Sequence, residues 1–337
     1  MKIWNLFTKK YWKNKQELRH KFKEIANKKT EIDPNLALSI NNLTKVFYLD
    51  NGDFKFALDE VTFKVNKGEF HGFIGDNGAG KTTTIRSILG FYPSAKGQIY
   101  VNGTFHTDVR SRNSIGYIPE IAIFPKKLNV REYLMEMGKM SKLSKNQIKK
   151  KIDELIAKFN FDEKDLNKSP FYMSSGQKKK VLLMQALLND PEILILDEPA
   201  ANLDPTARLD FFHLIKNLNK EGKTIFISSH ILSELEQYID SFTVLQNGKV
   251  LDSGKVIDKL KSFGFNKQMS LANYDTKSFE EYLIQNKIQF KFQNNKYFLN
   301  VNDKQINQVL SYCLQKGYEI VNLGDVKLNL NNLYFGI

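Results

Sequence analysis

The sequence predicts an α/β fold whose core is a parallel sheet, with ligands bound at the carboxyl ends of its strands. Three observations support this prediction. A glycine-rich segment, residues 75–82, joins the apolar run Phe70–Ile74 to a segment of helical periodicity, residues 83–89. Two further apolar runs, Ile193–Leu196 and residues 224–228, are each followed by a loop and then a helical pattern. This alternation is typical of a doubly wound sheet.

The glycine-rich segment has the pattern of a phosphate-binding loop, because Gly75 and Gly80 bracket four residues and precede Lys81 and Thr82. Its backbone N–H groups and the N-terminus of the following helix would together form an anion site. Lys81 would reach the outer phosphates of a nucleotide, and the Thr82 hydroxyl would complete the shell of a Mg ion. A glycine-rich turn that binds nothing is the alternative. We predict that the phosphates contact the whole loop: Gly75, Asp76, Asn77, Gly78, Ala79, Gly80, Lys81, Thr82 and Thr83.

The composition narrows the class of protein. The chain has 337 residues, 42% of them hydrophobic, which is enough for one large domain or two. We expect no membrane span, because the chain lacks a long apolar run and its start lacks a secretory signal. The chain has a single cysteine, Cys313, which excludes an internal disulfide framework. Cys313 lies among regularly spaced apolar residues, as is typical of a core residue. The net charge of +13 indicates an anionic partner, or a compositional bias towards Lys and Asn.

Residues 1–35 are predicted to form a basic amphipathic extension. Aromatic and aliphatic residues between Trp4 and Ile25 recur at helical steps among many lysines, and Asp33-Pro34 would end the helix. Residues 1–33 would then contact an anionic membrane surface or a groove on a membrane partner. A helix packed on its own domain and a frayed tail are the alternatives.

The rest of the chain is predicted to form two domains. Alternating strands and turns from residue 36 onward predict a small antiparallel sheet beside the phosphate loop. Two lysine-rich helical patterns predict a helical insert at about residues 121–175, inside a core domain of residues 36–261. Residues 265–337 alternate strand and helix patterns, which predicts a small α+β domain without catalytic residues.

A second motif ends the apolar run Ile193–Leu196 with two carboxylates, Asp197 and Glu198. Asp197 at the strand end is placed to hold Mg opposite Thr82, and Glu198 to orient a water against the γ-phosphate. A solvated turn is the alternative.

Met173-Ser174-Ser175-Gly176-Gln177 then resembles the signature sequence of ATP-binding cassette (ABC) ATPases, Leu-Ser-Gly-Gly-Gln, with Met for Leu and Ser175 for the first Gly. The resemblance covers roughly residues 36–255 and implies a P-loop NTPase of the ABC type, with ATP as the nucleotide. It implies that Phe47, or Tyr48, stacks on adenine and that His230 contacts the γ-phosphate. It also implies that Ser174, Ser175, Gly176 and Gln177 cap the γ-phosphate held by another subunit, and that residues 201–204, ending at Asp204, communicate across the dimer.

Glu120 stands where this family usually has Gln, at a position that contacts Mg and relays to the membrane subunit. The resemblance thus implies a Mg-dependent ATPase, with Glu198 and His230 catalytic and Thr82, Glu120 and Asp197 at the metal. Its partners would be a permease on a separate chain and a second ATPase subunit, identical or closely related, at the cytoplasmic face of the membrane. Glu120 and the small C-terminal domain favour an exporter of the ABC-2 type. A soluble ABC ATPase acting on DNA or the ribosome, and a cassette that binds ATP only as a scaffold, are the alternatives, and nucleic acid is disfavoured as a partner.

Overall fold

The computed structural model describes residues 32–326 except 52, 93–95, 263 and 294, together with residues 13, 15–17, 20 and 21. The predicted N-terminal helix lies mostly outside the described residues. The chain divides into two compact units, one of Met1–Ile231 with Gln237–Gly254, the other of Leu232–Glu236 with Lys255–Ile337.

Among its described residues, the first unit contains ten strands in two sheets. They are β1 (Leu36–Tyr48), β2 (Phe54–Asn66), β3 (Phe70–Ile74), β4 (Lys96–Val101), β5 (Thr104–Phe105), β6 (Ile115–Ile118), β7 (Ile193–Leu196), β8 (Thr224–Ser229), β9 (Ser241–Gln246) and β10 (Lys249–Lys255). The order β2-β1-β4-β5 forms the antiparallel sheet that the sequence predicts, and β10-β9-β3-β8-β7-β6 forms the core sheet.

The core sheet is parallel along β9-β3-β8-β7-β6, as predicted. Strands β3, β7 and β8 are buried along their whole length, because both of their faces are covered, and they therefore appear in the sequence as continuous apolar runs. In the register, Ile74 lies opposite Ser229 and Leu196 opposite Ile227. The carboxyl ends of β3, β8 and β7 are thus neighbours, and the loops that follow these strands meet at one edge.

A hydrophobic core lies between the two sheets and the helix after the phosphate loop. Phe63 of the antiparallel sheet stacks on Phe73 and Phe226 of the core sheet, with ring centroids 5.2 and 5.8 Å apart. Ile85 and Ile88 of the helix join the same cluster. Burial of these apolar side chains fixes the helix, and with it the loop, on the edge of the sheet.

Between residues 32 and 231, the described helices are α1 (Lys81–Ile88), α2 (Val109–Asn113), α3 (Val130–Met140), α4 (Lys145–Lys158), α5 (Glu163–Leu166), α6 (Ser175–Ala186) and α7 (Pro205–Lys220), with a 3₁₀ turn at Pro170–Tyr172. Helices α3 and α4 form the predicted insert, and each starts with a capping box, at Asn129 and at Ser144. Helix α4 buries Ile148, Ile152 and Leu155, and its lysines face outward as the sequence predicts.

The second unit has the β-α-β-β-α-β connectivity of a split βαβ fold. After the short helices α8 (Leu232–Leu235) and α9 (Val256–Ser262), it contains β11 (Lys267–Ala272), α10 (Thr276–Gln285), β12 (Gln289–Gln293), β13 (Lys296–Asn300), α11 (Asp303–Gln315) and β14 (Glu319–Asp325). The sheet order is β12-β13-β11-β14. Cys313 is buried in its core, as the sequence predicts, and burial raises the pKa of the thiol to about 11. In the described part of the chain, no helix combines the length and the apolar character needed to cross a bilayer.

Candidate active site

A cavity of about 690 Å³ opens at the edge where the parallel strands end. This volume lies within the usual range of a small-molecule site. The cavity gathers ten of the residues singled out in the sequence: Phe47, Asn77, Gly78, Gly80, Lys81, Thr82, Thr83, Glu120, Glu198 and His230. It therefore joins five segments that are separate in the sequence.

The phosphate loop needs its glycines for two different reasons. Gly80 has φ of 113°, in the left-handed region that side chains rarely adopt. At Gly75 a Cβ atom would lie 2.3 Å from the carbonyl oxygen of Leu245, which is an impossible contact. The loop thus folds as a tight turn whose backbone packs directly against the hairpin turn between β9 and β10. Such a turn presents its N–H groups to an anion.

Lys81 is buried within this loop. Its Nζ donates to the carbonyl oxygens of Gly75 at 2.6 Å and of Asp76 at 3.2 Å. The same Nζ lies 3.0 Å from Oε1 of Glu198, in an ion pair whose alignment does not make a hydrogen bond, and this oxygen has no hydrogen-bond partner. One ammonium group thus faces both the loop and the carboxylate that the sequence predicts as the base.

Asp197 lies behind the loop and is 1% exposed. Its Oδ1 accepts hydrogen bonds from Thr82 Oγ1 at 3.2 Å and from Ser228 Oγ at 2.8 Å. Burial raises the pKa of this carboxyl, and the two hydroxyl donors oppose the shift. Thr82 and Asp197 are therefore adjacent, as expected for two groups that share a metal.

Glu198 adopts an unusual backbone conformation, with φ of 43° directly before Pro199. A non-glycine residue at positive φ stores strain, on the order of 1–3 kcal/mol. The hydrogen bond from the Glu198 N–H to Ser228 Oγ, at 2.9 Å, helps to hold this conformation. The turn directs the carboxylate into the cavity, where its Oε2 lies 2.8 Å from Nδ1 of His230.

An aromatic side chain lies where the sequence predicts that the nucleotide base binds. Phe47 is 38% exposed and lines the cavity, whereas Tyr48, its alternative in the sequence, does not. The ring of Phe47 contacts the Tyr92 ring edge-on at 5.7 Å, and Nζ of Lys45 lies 4.8 Å from the Phe47 centroid. One face of Phe47 is thus supported by neighbours, and the geometry favours Phe47 as the platform for a base.

Glu120 follows β6 and lines the same cavity as Thr82 and Glu198. In the part of the chain that the structure describes, no group of three or more His, Cys, Asp or Glu side chains forms a metal site. A Mg ion does not need one, because it binds through one or two protein groups together with phosphate oxygens and water. The hydroxyl of Thr82 and the carboxylates of Asp197 and Glu120 supply donors of the right chemistry, so these residues fit Mg.

The signature residues Ser174, Ser175, Gly176 and Gln177 do not line this cavity, and neither does Asp204. Ser174 caps helix α6 in a capping box with Gln177, and Asp204 caps helix α7 by accepting from the Ala207 N–H at 2.9 Å. Within one subunit these caps do not meet the phosphate loop. Their predicted role at the phosphate of a second subunit stays a prediction.

Sequence reasoning missed several residues of the site. Ser228 donates to the Asp197 carboxylate and accepts from the Glu198 backbone N–H, but a serine at the end of a strand gave no signal for this role. The cavity also contains Lys55, Phe56, Ala57, Ala201, Asn247 and Gly248. The Asn247-Gly248 turn is recognisable as a hairpin, but its contact with the loop, from the Gly248 N–H to the Ala79 carbonyl at 2.9 Å, depends on the order of the strands.

Comparison with known proteins agrees with this geometry. A family model described as ABC transporter matches residues 58–201. A putative ABC transporter ATP-binding protein of Mycoplasma pneumoniae is 40% identical over 307 residues, which span 88% of this chain and 92% of the relative. The bacitracin transport ATP-binding protein BcrA of Bacillus licheniformis is 37% identical over 218 residues, spanning 64% of this chain and 68% of the relative. A solved ATP-binding subunit of an ABC transporter aligns with a TM-score of 0.59 at 33% identity, over 68% of this chain and 93% of that one.

Proposed function

The chain belongs to the ABC transporter family as an ATP-binding subunit that hydrolyses ATP, and on that basis we propose that two such subunits drive a permease on a separate chain as an exporter. The observation that carries the proposal is the arrangement around Glu198, whose carboxylate contacts Lys81 on one oxygen and His230 on the other. A carboxylate held in this way beside a phosphate loop is suited to activate water.

Each side chain of the cavity has a chemical role in hydrolysis. The loop N–H groups and Lys81 bind the phosphates of ATP and offset the charge that develops as the terminal phosphate leaves. Glu198 orients the attacking water and accepts its proton, while His230 holds the Glu198 carboxylate and contacts the γ-phosphate. When bound, Mg would add charge stabilisation and a fixed orientation of the phosphates. Thr82, Asp197 and Glu120 are the residues that would hold it.

The signature segment supports the proposal of a dimer. Ser174 caps, and Ser175 begins, a helix of twelve residues, yet Ser174 to Gln177 lie outside the cavity of their own subunit. A helix N-terminus suits an anion. We place it over the terminal phosphate bound by a second, identical or closely related subunit, so that each ATP contacts both subunits. A two-fold arrangement of this kind is closed and uses the same surfaces twice.

The proposed contact with a permease rests on exposed residues that follow Glu120. Ile121 and Ile123, which follow Glu120, are 67% and 81% exposed, which is unusual for two isoleucines so close together. Side chains of this kind suit an apolar contact with a permease at the cytoplasmic face of the membrane. A permease contact here would lie beside the γ-phosphate side of the cavity. Export as the direction is favoured by Glu120 and by the separate α+β unit.

The test is purification of the full chain, alone and from membranes. We expect Mg-dependent ATP hydrolysis by the purified chain and co-purification with a polytopic membrane protein. Recovery only with ribosomes or DNA would contradict the transporter role. Absence of hydrolysis with intact ATP binding would leave a scaffold as the function.

The direction of transport has a separate test. ATP supplied outside inverted membrane vesicles that contain the complex should drive substrate accumulation inside them if the complex exports. ATP-driven loss of substrate from preloaded inverted vesicles would instead indicate import.

A further inference from the structure

A buried lysine outside the catalytic set lies directly behind the cavity. Lys179, in helix α6, is 4% exposed. Two other lysines are comparably buried among the described residues, and both have a place in the site: Lys81 in the phosphate loop and Lys45 beside the Phe47 ring. A buried ammonium group is costly unless it is hydrogen-bonded, so the contacts of Lys179 indicate why it is there.

Those contacts are with the backbone that carries Glu120. The Lys179 Nζ donates to the carbonyl oxygen of Pro119 at 3.0 Å and to that of Glu120 at 2.6 Å. Both carbonyls lie just beyond the end of β6, where the regular pairing with β7 at Ile118 ends. The lysine thus supplies donors to carbonyl groups that the sheet does not pair, and it fixes the peptide from which the Glu120 side chain enters the cavity.

The charges around Lys179 are complementary. Burial lowers the pKa of Lys179 to about 8, and the carboxylates of Glu120 and Asp197 oppose this shift. Glu120 brings a negative charge to the position where a neutral Gln is usual in this family, and Lys179 brings a positive charge to the same place. The attraction of these carboxylates for the Lys179 ammonium group offsets part of the cost of burying it.

Lys179 also lies on a functional helix. Helix α6 begins at Ser175, and its capping residue Ser174 and the following Gln177 belong to the segment proposed to face the second subunit. Lys179 follows this segment by less than one turn. A side chain on α6 that hydrogen-bonds the backbone of the Glu120 loop therefore connects two parts of the chain that would act on two different ATP molecules.

We propose that Lys179 is a positioning residue that ties the Glu120 loop to the signature helix, so that metal binding at one ATP and contact with the ATP of the second subunit are set together. This proposal rests on the proposed function as a dimeric Mg-dependent ATPase. It assigns Lys179 no contact with substrate. Its effect is transmitted through two backbone carbonyl groups.

The experiment compares Lys179→Met, which keeps the length and removes the donors, with Lys180→Met, the neighbouring lysine on the same helix. Loss of a group that hydrogen-bonds and orients a metal ligand typically costs 10- to 100-fold in metal affinity. We therefore expect Lys179→Met to raise the Mg²⁺ concentration for half-maximal ATPase activity about tenfold or more. ATP affinity should change by less than about threefold, because the phosphate loop is untouched. Lys180→Met should behave as wild type.

A second readout follows the signature helix. In a Glu198→Gln background, ATP-dependent dimerisation measured by analytical ultracentrifugation should require about tenfold more protein with Lys179→Met than without it. Lys179→Arg, which retains donors, should recover both properties to within about threefold. Lys179→Gln, which has a shorter side chain with a donor, should raise the Mg²⁺ concentration for half-maximal activity by an intermediate factor. This variant replaces Lys179→Met in the experiment if the Met variant does not fold.

Several results would overturn the proposal. Wild-type Mg²⁺ dependence in Lys179→Met, or in Lys179→Gln if Met does not fold, would show that the loop does not need the lysine. Unchanged dimerisation would remove the link to the signature helix. If Mg²⁺-dependent activity and dimerisation fell only in proportion to the fraction of unfolded protein, and Lys179→Arg did not recover them, the role of Lys179 would be purely structural. Failure of the proposed function would be distinguishable from failure of this proposal, because the wild type and Lys180→Met would then also lack Mg-dependent hydrolysis.

Discussion

His230 Nδ1 lies 2.8 Å from Glu198 Oε2, although the two residues follow different strands and are separated by 32 positions in the chain. The contact exists because β7 and β8 are parallel neighbours, so the residues after Leu196 and after Ser229 leave the sheet side by side. It leaves Oε1 of the same carboxylate without a hydrogen bond, facing Lys81. This relationship leads to the first two predictions.

Glu198→Gln is expected to reduce ATP hydrolysis by about 10²- to 10⁴-fold, the usual contribution of a general base. ATP binding should persist, since Lys81 and the loop are unchanged, and an ATP-bound dimer should accumulate. Steady-state phosphate release and size-exclusion chromatography with ATP measure the two effects. Glu192→Gln, an exposed carboxylate just before the same strand β7, serves as the control and should retain full activity. Hydrolysis at the wild-type rate in Glu198→Gln would remove Glu198 as the base.

His230→Ala is expected to lower kcat by about 10- to 100-fold with a smaller change in KM, because His230 orients a carboxylate that is itself still present. Kinetics at saturating Mg-ATP provide the measurement. His213→Ala, at an exposed position on helix α7, provides a matched loss of an imidazole. Equal activities of the two variants would contradict a role for His230 in hydrolysis.

Phe47→Ala is expected to weaken ATP binding about tenfold or more, since stacking of a base on an aromatic ring contributes about 1–3 kcal/mol. The loss should be seen as a higher dissociation constant for a fluorescent ATP analogue. Tyr48→Ala is the control, because Tyr48 is a neighbouring exposed aromatic residue that does not line the cavity. A larger effect from Tyr48 would assign the base platform to the other residue of the pair.

The burial of His71 leads us to predict that the folded protein loses stability in acid. Its ring is fully buried between Phe63 and Phe226, with Nδ1 2.8 Å from Ser241 Oγ and Nε2 3.0 Å from Thr243 Oγ1. Burial lowers the pKa of His71 from 6.5 to about 3. The unfolded chain therefore binds a proton below pH 6.5 that the folded protein does not bind until about pH 3.

The contribution of His71 to stability is complete above pH 6.5 and is lost as the pH falls towards 3. At pH 4.5 the loss should be about 2–3 kcal/mol in the free energy of unfolding. Urea denaturation of the wild type and of His71→Gln at pH 7.5 and 4.5 measures it. The Gln variant keeps hydrogen-bonding groups but cannot titrate, so its stability should fall less over the same interval. An equal fall in both proteins would show that other groups cause the acid sensitivity.

Much of the fold could be predicted because its signals are local. The strand Ile193–Leu196 is found at its predicted bounds, and Asn102-Gly103 forms one of the turns of the antiparallel sheet, between β4 and β5. Helix α6 begins at Ser175 because Ser174 caps it. Helix ends depend on such caps, which periodicity alone does not locate.

The sequence by itself determined the chemistry of the phosphate loop, the pair Asp197-Glu198 and their place at strand ends, because glycine spacing, apolar runs and the order of residues along the chain encode these features locally. Only the tertiary structure decided that Ser228 bonds both the Asp197 carboxylate and the Glu198 backbone N–H, that the Asn247-Gly248 turn contacts the phosphate loop, and that Lys179 holds the backbone of Glu120. These contacts join residues 30 to 169 positions apart. They arise from the order and register of the strands, which are set by packing of the whole core rather than by any single segment.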